Sequence, residues 1–248
     1  MRVLSIDYDY FQKTSIETVM KHYPDGVDLP TKLTEITWAS HYANPYSAAS
    51  INAVEVNREE LELMEEIIEN QRTDLPVMVA NSHVHIYNFI HEHCTDKKLY
   101  ITNVDMHHDM FNDDSELDCG NWVSHILKDY GEENVGLRWI SNPISGEAFG
   151  FDEEELSIER KGRMLFPTSV SDILDKQFDL VFLCRSDTWT PPHLDEGFNE
   201  LMETCLYHFG RILIEESVKK PRDISLLVEQ EKEFFEKMKN KNIGRVKE

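Results

Sequence analysis

Three side chains that can bind a metal ion stand two residues apart in the stretch NVDMHHDMF: Asp105, His107 and Asp109. In an extended segment alternate residues project to the same side, so this spacing predicts that the three donors share one face. Oxygen and nitrogen donors without a thiolate favour an ion such as Mn²⁺, Zn²⁺ or Fe²⁺. We interpret the stretch as part of a metal site rather than as a solvated loop of an acidic protein.

Other metal-capable side chains also follow predicted strands. Asp7 and Asp9 come at the end of the apolar run VLSI, and His83 follows the run LPVMVA. In open parallel sheets ligands bind at the carboxyl ends of strands, so we expect these groups to converge. Four carboxylates and two imidazoles are about what two divalent cations need. The predicted ligand set is Asp7, Asp9, His83, Asp105, His107 and Asp109.

Short apolar strands alternate with helical patterns, which predicts an α/β fold with a mostly parallel sheet between helices. A length of 248 residues favours one large domain. The segment from Tyr23 to Asn57 is predicted to be a loop with little regular structure. The predicted strands cover residues 2–11, 75–80, 99–104, 134–140 and 179–184. The predicted helices cover Arg58 to Arg72, a stretch from about Ser82 to Cys94, and the chain from Pro221 onward, which we expect to pack outside the site.

Composition narrows the class of protein. A net charge of −22 argues against a nucleic-acid partner, because binding phosphates requires a basic surface. The same charge suits a cationic partner. No apolar run is long enough for a membrane span, and no signal peptide is apparent, so we expect a cytoplasmic protein without a membrane partner. The four cysteines form no C-x-x-C pair and are expected to be reduced.

The D-x-H-x-D motif resembles the hallmark of the ureohydrolase superfamily, which contains arginase and agmatinase and uses a binuclear manganese site. His83 after a buried strand fits this family, and Cys119-Gly120-Asn121 stands where arginases have Ser-Gly-Asn. The family's D-x-D normally comes late in the chain, whereas here SIDYDYF is at the start, so we expect a permuted amino-terminal strand. The chain is similar to a divergent branch that includes bacterial peptide arginases. The further matching residues are Phe11, Gly120 to Trp122, Asp187, Trp189, Pro191 and Pro192.

The resemblance implies an arginase-like α/β domain over residues 1–248 that holds two Mn²⁺. It implies hydrolysis of arginine residues in a ribosomally made precursor peptide to ornithine and urea. Asn121, Asp187 and Trp189 are the residues expected to bind the substrate. Arginases place a histidine proton shuttle where this chain has Val123. The candidates for proton transfer are therefore Asp109, His108 and His125.

Three alternatives remain open from the sequence. A phosphatase of the haloacid-dehalogenase type also begins with a strand and D-x-D, but it has no use for the D-x-H-x-D motif. Deacetylase-like amide hydrolysis needs fewer ligands around a single metal ion. A metal-binding but catalytically inactive interaction module would retain the ligands and lose the shuttle, as the valine at position 123 permits. The strong acidic excess and the aromatic stretch before Asn57 favour an extended cationic peptide over free arginine.

Overall fold

The computed structural model describes residues 1–24, 28–95, 98–111, 116–148, 164–165 and 169–245. The strands in this part are β1 (Arg2–Asp7), β2 (Gln12–Lys13), β3 (Glu55–Val56), β4 (Val77–Ala80), β5 (Leu99–Asp105), β6 (Val135–Ser141), β7 (Met164–Leu165), β8 (Leu180–Cys184) and β9 (Ile212–Ile214). The α-helices are α1 (Ile16–His22), α2 (Thr31–Ala43), α3 (Ala48–Asn52), α4 (Arg58–Glu69), α5 (His85–His93), α6 (Trp122–Tyr130), α7 (Ser145–Ala148), α8 (Asp195–His208) and α9 (Ser225–Arg245).

Seven of these strands form one sheet in the order β7-β6-β5-β1-β8-β4-β9, and every neighbouring pair is parallel. β7 is a two-residue edge strand, so the body of the sheet is six-stranded. The first strand of the chain lies in the middle, between β5 and β8. β2 and β3 form a separate antiparallel pair. The predicted α/β fold with a parallel sheet is confirmed.

Helices cover both faces of the sheet through two apolar cores. On one face Leu4 and Ile6 of β1 pack in a cluster that includes Leu61 of α4 and Leu201 of α8. On the other face Val3 of β1 packs in a cluster that includes residues of α5 and α6. Consecutive residues of β1 point to opposite faces, and both faces are covered. This burial explains why a central parallel strand has an almost continuous apolar sequence.

The predicted first strand is confirmed from Arg2 to Asp7, but its extension to Phe11 is wrong. Residues Tyr8–Phe11 form a 3₁₀ helix. The Asp7 side chain accepts a hydrogen bond from the Asp9 backbone N–H at 3.0 Å, which favours a turn directly after the strand. This turn places Asp9 beside Asp7 instead of carrying it further along the sheet.

The prediction of an irregular loop over residues 23–57 is wrong, because α2, α3 and β3 lie there. The sequence of α2, TKLTEITWASHYA, lacks a clear apolar stripe, so its periodicity did not indicate a helix. Packing provides the missing stabilisation: Trp38 and Ala39 of α2 are almost fully buried, and α2 contacts α9. Trp38, Ile51 and Trp189 belong to a third small apolar cluster.

The remaining predicted elements are confirmed with shifts of a few residues at their ends. The helix predicted to start near Ser82 begins at His85, because residues 81–84 form a turn. The carboxy-terminal helix α9 packs against α2, while residues 246–248 at its end lie outside the described part. None of the described helices is both long enough and apolar enough to cross a membrane.

Gly197 of α8 provides a test of how tightly the segment after β1 is packed. A Cβ atom at this position would overlap the hydroxyl of buried Tyr8, which donates a hydrogen bond to the Leu194 carbonyl at 3.1 Å. The overlap should cost about 1–3 kcal/mol, and replacing a glycine within a helix should return about 1 kcal/mol. Gly197→Ala should therefore lower the free energy of unfolding by up to about 2 kcal/mol. Urea denaturation measures the difference.

The control for this substitution is Glu203→Ala, at an exposed position of the same helix, which should change stability by no more than about 0.5 kcal/mol. In a Tyr8→Phe background the penalty of Gly197→Ala should shrink, because the overlapping hydroxyl is gone. An equal penalty in both backgrounds would show that the hydroxyl contact does not limit the packing.

Candidate metal centre

Three strands of the central sheet place six metal-capable side chains together at its carboxyl edge. Each of the six residues is at most 8% exposed. Donor atoms of five of them form two groups, each within 4.8 Å, and Asp105 belongs to both. The first group is Asp7, His83 and Asp105, and the second is Asp9, Asp105 and His107. The predicted convergence of residues from the start and the middle of the chain is therefore present.

His83 is surrounded by carboxylates. Its Nδ1 atom lies 3.2 Å from Asp7 Oδ2, 3.0 Å from Asp105 Oδ2 and 3.2 Å from Asp109 Oδ2. A ring nitrogen carries at most one hydrogen, so it cannot donate to all three oxygens. Asp109 was predicted as a ligand; its Oδ2 lies beside His83, but it does not belong to either group of mutually close donors.

His107 organises the second group. Its Nδ1 atom lies 3.0 Å from Asp9 Oδ2 and 3.5 Å from Asp105 Oδ1. Asp9 Oδ2 is buried, and His107 is the partner with which the described residues form an ion pair at this oxygen. A buried carboxylate oxygen is costly unless a cation compensates it.

Backbone hydrogen bonds fix the orientation of these carboxylates. Asp9 Oδ1 accepts from the Met106 N–H at 3.1 Å, and Asp105 Oδ1 accepts from the His107 N–H at 2.7 Å. β5 ends at Asp105, so strand alternation does not carry the later residues to the shared face as the sequence predicted. A turn does so instead, and Asp109 adopts a left-handed backbone with φ 54°. Aspartate tolerates this conformation better than most residues.

Burial and mutual repulsion shift the ionisation of the cluster. Burial and the charges of Asp7 and Asp105 raise the pKa of Asp9 well above its usual range. Burial and the charge of Asp105 likewise raise the pKa of Asp109. Burial also disfavours the ionised form of Asp105, but its hydrogen bonds and charge contacts with His107 and His83 outweigh that effect and lower its pKa.

Both imidazoles respond to the surrounding carboxylates. Burial lowers the pKa of His83, but the charge of Asp109 and the hydrogen bonds of Asp105 and Asp7 raise it well above 6.5 overall. Burial likewise opposes protonation of His107, and Asp9 and Asp105 raise its pKa overall. Without a metal ion, protons on these rings are the cations that balance part of the carboxylate charge.

The donor set fits two divalent cations. Four ionised carboxylates carry a charge of −4, and two divalent ions with neutral imidazoles would balance it. In the described part of the chain, the ion pairs of these carboxylates are made with histidines and not with lysine or arginine. Asp105 offers one oxygen to each group, which is the role of a bridging ligand. Hard oxygen donors with two imidazoles suit Mn²⁺ and similar ions.

The predicted proton-transfer histidines lie in different surroundings. The His108 ring packs against Phe111 and Trp139, with ring centroids 4.0 and 5.8 Å apart. Burial and the charge of His107 lower the pKa of His108 to about 4. His125 lies on α6 and packs against Tyr87 of α5, at 6.2 Å between ring centroids. The structure shows no contact between His125 and the ligand cluster, so its predicted role stays a prediction.

The side chains of Asn121 and Asp187 both bind other groups of the chain. Asn121 precedes α6, and its amide accepts from the Asp118 N–H at 2.7 Å and donates to the Glu116 carbonyl at 2.8 Å. Asp187 binds the guanidinium of Arg185 through both carboxylate oxygens, at 2.5 and 3.0 Å. The fork-to-fork pairing predicted between Asp187 and a substrate is thus made here with an arginine of the chain itself.

Trp189, in contrast, lies against the metal cluster. Its ring packs on His107 with centroids 4.6 Å apart. Gln12 donates to the Trp189 carbonyl at 2.9 Å, and Arg222 donates to the neighbouring Thr190 carbonyl at 2.7 Å. These bonds hold the indole on the outer side of His107, the most exposed of the six ligand residues.

Three further residues contact the ligands; Trp122 was part of the family resemblance, whereas Ser5 and Asn103 were not singled out from the sequence. Trp122 Nε1 donates to Asp109 Oδ2 at 2.6 Å, Asn103 Nδ2 lies 3.2 Å from the same oxygen, and Ser5 Oγ lies 2.6 Å from His83 Nε2. Ser5 and Asn103 are polar residues inside otherwise apolar strands. A polar residue within an apolar strand was the sequence feature that could have identified Ser5 and Asn103 as contacts of the ligands.

A recess of about 400 Å³ adjoins the segment that carries His83. Asn81, Ser82 and Val84, on both sides of that histidine, line it. Among the described residues that line the recess there is no lysine or arginine. Its acidic lining residues are Asp28, Asp118, Asp187 and Glu215.

The chain was compared with protein-family models, with curated proteins and with solved structures, and none of the three comparisons found a match. The residues and geometry of the cluster are therefore the basis for its functional interpretation.

Metal binding should release protons from His83 and His107. Because the pKa of each ring is raised in the metal-free protein, both rings carry protons near neutral pH, and a metal ion binds only the unprotonated nitrogen. Affinity for Mn²⁺ should therefore keep rising as pH increases through and beyond 6.5. Calorimetric titrations in buffers of different ionisation enthalpy count the released protons. Affinity that is independent of pH between 6 and 8 would contradict the proposed ligation.

Proposed function

We propose that the protein is a binuclear manganese hydrolase that converts arginine residues in a peptide to ornithine and urea. The observation that supports this most directly is the pair of donor groups joined by Asp105. The similarity of the D-x-H-x-D motif and the D-x-D at the start of the chain to ureohydrolases selects the reaction among those that two metal ions support. The central position of β1 agrees with the permuted connection that this similarity requires.

Asp7, His83, Asp105 and Asp109 would hold one ion, and Asp9, Asp105 and His107 the other. A metal pair supplies a water nucleophile that is deprotonated at neutral pH. In the balanced reaction, the guanidinium carbon gains the oxygen of one water, its bond to the side-chain nitrogen breaks, and that nitrogen leaves as an amine. The products are urea and ornithine.

The chain must also provide a proton for the leaving amine. Asp109 is the candidate carboxylate, since its Oδ2 lies beside the first donor group, 3.2 Å from His83 Nδ1. Its Oδ2 accepts from Trp122 at 2.6 Å, which orients the group. Exclusion of water by the indole of Trp189 on His107 would favour this transfer.

The acidic recess beside His83 supports a cationic substrate. Burial and the charge of Asp118 raise the pKa of Asp28, whose carboxylate is hydrogen bonded to Ser82. A bound guanidinium would relieve this repulsion and supply donors to the carboxylate oxygens. The chain's net charge of −22 adds long-range attraction for a basic peptide.

A catalytically inactive metal-binding module is the second candidate. The position of the arginase shuttle is occupied by Val123, a residue of α6 that is fully buried in the apolar core. Binding of Mn²⁺ without turnover of any arginine-containing peptide would favour this candidate.

Mass spectrometry tests the reaction directly. Incubation of Mn²⁺-loaded protein with arginine-containing peptides should lower the peptide mass by the mass of CH₂N₂ for each arginine converted. Peptide arginine should have a higher kcat/KM than free arginine, and this advantage should fall as salt screens the acidic surface.

The control for that comparison is a His107→Ala variant, which removes a ligand and should abolish turnover. Equal or better turnover of free arginine would contradict a peptide substrate but not the metal centre. Unchanged peptide masses with a fully loaded protein would contradict the hydrolase.

The recess is tested by Asp28→Asn, which removes one negative charge and retains the shape of the side chain. KM for an arginine peptide should rise by roughly 10-fold or more, because a charged hydrogen bond to the substrate is lost, while kcat changes little. The matched control is Glu62→Gln, at an exposed position of α4 that does not line the recess. Steady-state kinetics measure both variants, and equal KM values in the two would place the substrate cation elsewhere.

A further inference from the structure

Ser5 and Asn103 form a buried polar pair behind the ligands. They are register partners in the adjacent strands β1 and β5, and both are 0% exposed. Each stands two residues before a ligand aspartate, Asp7 on β1 and Asp105 on β5. Alternation in a strand places residues two apart on the same face, so both polar side chains point toward the cluster.

The contact made by Ser5 determines which nitrogen of His83 faces the carboxylates. Ser5 Oγ lies 2.6 Å from His83 Nε2, while Nδ1 faces the carboxylates. For Nδ1 to offer a lone pair to a metal ion, Nε2 must carry the hydrogen, and the Ser5 oxygen is then its acceptor. The ring of Phe182 stacks parallel to the imidazole at 5.7 Å and restricts its tilt.

Asn103 forms hydrogen bonds with both aspartates of the D-x-H-x-D motif, Asp105 and Asp109. Its Nδ2 donates to Asp105 Oδ2 and to Asp109 Oδ2, each at 3.2 Å. An amide N–H donates to both carboxylates at once, so this contact holds them side by side. Asp109 needs such a restraint, because its left-handed backbone lies beyond the end of β5.

We infer that Ser5 and Asn103 are positioning residues of the metal centre, an inference that rests on the proposed binding of two metal ions. Apolar residues at these sites would avoid burying polar groups between two packed strands. Their hydrogen bonds instead preset the tautomer of His83 and the spacing of the Asp105 and Asp109 carboxylates. The consequence is tighter metal binding and not greater stability of the fold.

The test uses Ser5→Ala and Asn103→Leu in the full chain. Mn²⁺ affinity is measured by competition with a chelator, and thermal unfolding is measured on the metal-free proteins. Each substitution should weaken Mn²⁺ binding about 10- to 100-fold. The controls are Ser124→Ala, another fully buried serine, and Thr102→Val, the neighbour of Asn103 that points to the opposite face of β5. Both controls should retain the affinity of the unaltered chain.

The outcomes separate positioning from structure. Affinity lost in Ser5→Ala and Asn103→Leu, with melting temperatures no lower than those of the controls, supports the inference. Normal affinity in both variants overturns it and leaves the proposed hydrolase intact. Affinity that falls only in proportion to lost folding, equally in the controls, also overturns it. Failure of the unaltered chain to bind Mn²⁺ overturns the metal centre and this inference together.

Discussion

Repulsion among four buried carboxylates is the constraint around which the centre of this fold is arranged. Asp7, Asp9, Asp105 and Asp109 lie where water cannot screen them, and two imidazoles are the partners that the described ion pairs provide. Elsewhere in the same layer the chain neutralises buried aspartates differently. Arg185 pairs with Asp187, and Arg222 pairs with Asp195 at 2.5 Å. Buried aspartates of the second kind are neutralised by arginines of the chain, whereas the four carboxylates of the cluster have only histidines as described ion-pair partners.

The two charge networks meet in the loop after β8. Ser186 opens this loop with a left-handed backbone, φ 56°, and Trp189 lies at its outer side against His107. Arg222 donates to backbone carbonyls on both sides of Trp189, at Asp187 and Thr190. Arg222, in the carboxy-terminal part of the chain, thus restrains the loop. Its hydrogen bonds to the backbone of the loop hold the Trp189 indole in place.

The parallel sheet and the convergence of the acidic and histidine side chains were predictable from the sequence, because both depend on local patterns. Asp7 and Asp105 end apolar runs and His83 follows one closely, and the edge rule for parallel sheets then brings these residues together. The helices within residues 23–57 were not predictable in the same way. The helix containing Trp38 is stabilised by packing against distant elements and lacks a periodic apolar stripe. The turn that brings Asp109 back to the cluster depends on long-range contacts, and so does the pairing of Asp187 with Arg185.

The central position of β1 also has a consequence for the order in which the chain folds. β1 precedes both of its neighbours in the sheet, residues 99–105 and 180–184, by a long stretch of chain, and the Arg2 N–H donates a hydrogen bond to Asp179 across 177 residues of sequence. A nascent β1 therefore has no strand partner until β5 has emerged, and its second edge stays open until β8 follows. Such distant pairing slows folding, since loop closure precedes the contacts that reward it. During this interval the apolar run VLSI is exposed to solvent. Such an exposed apolar segment is a binding site for a chaperone.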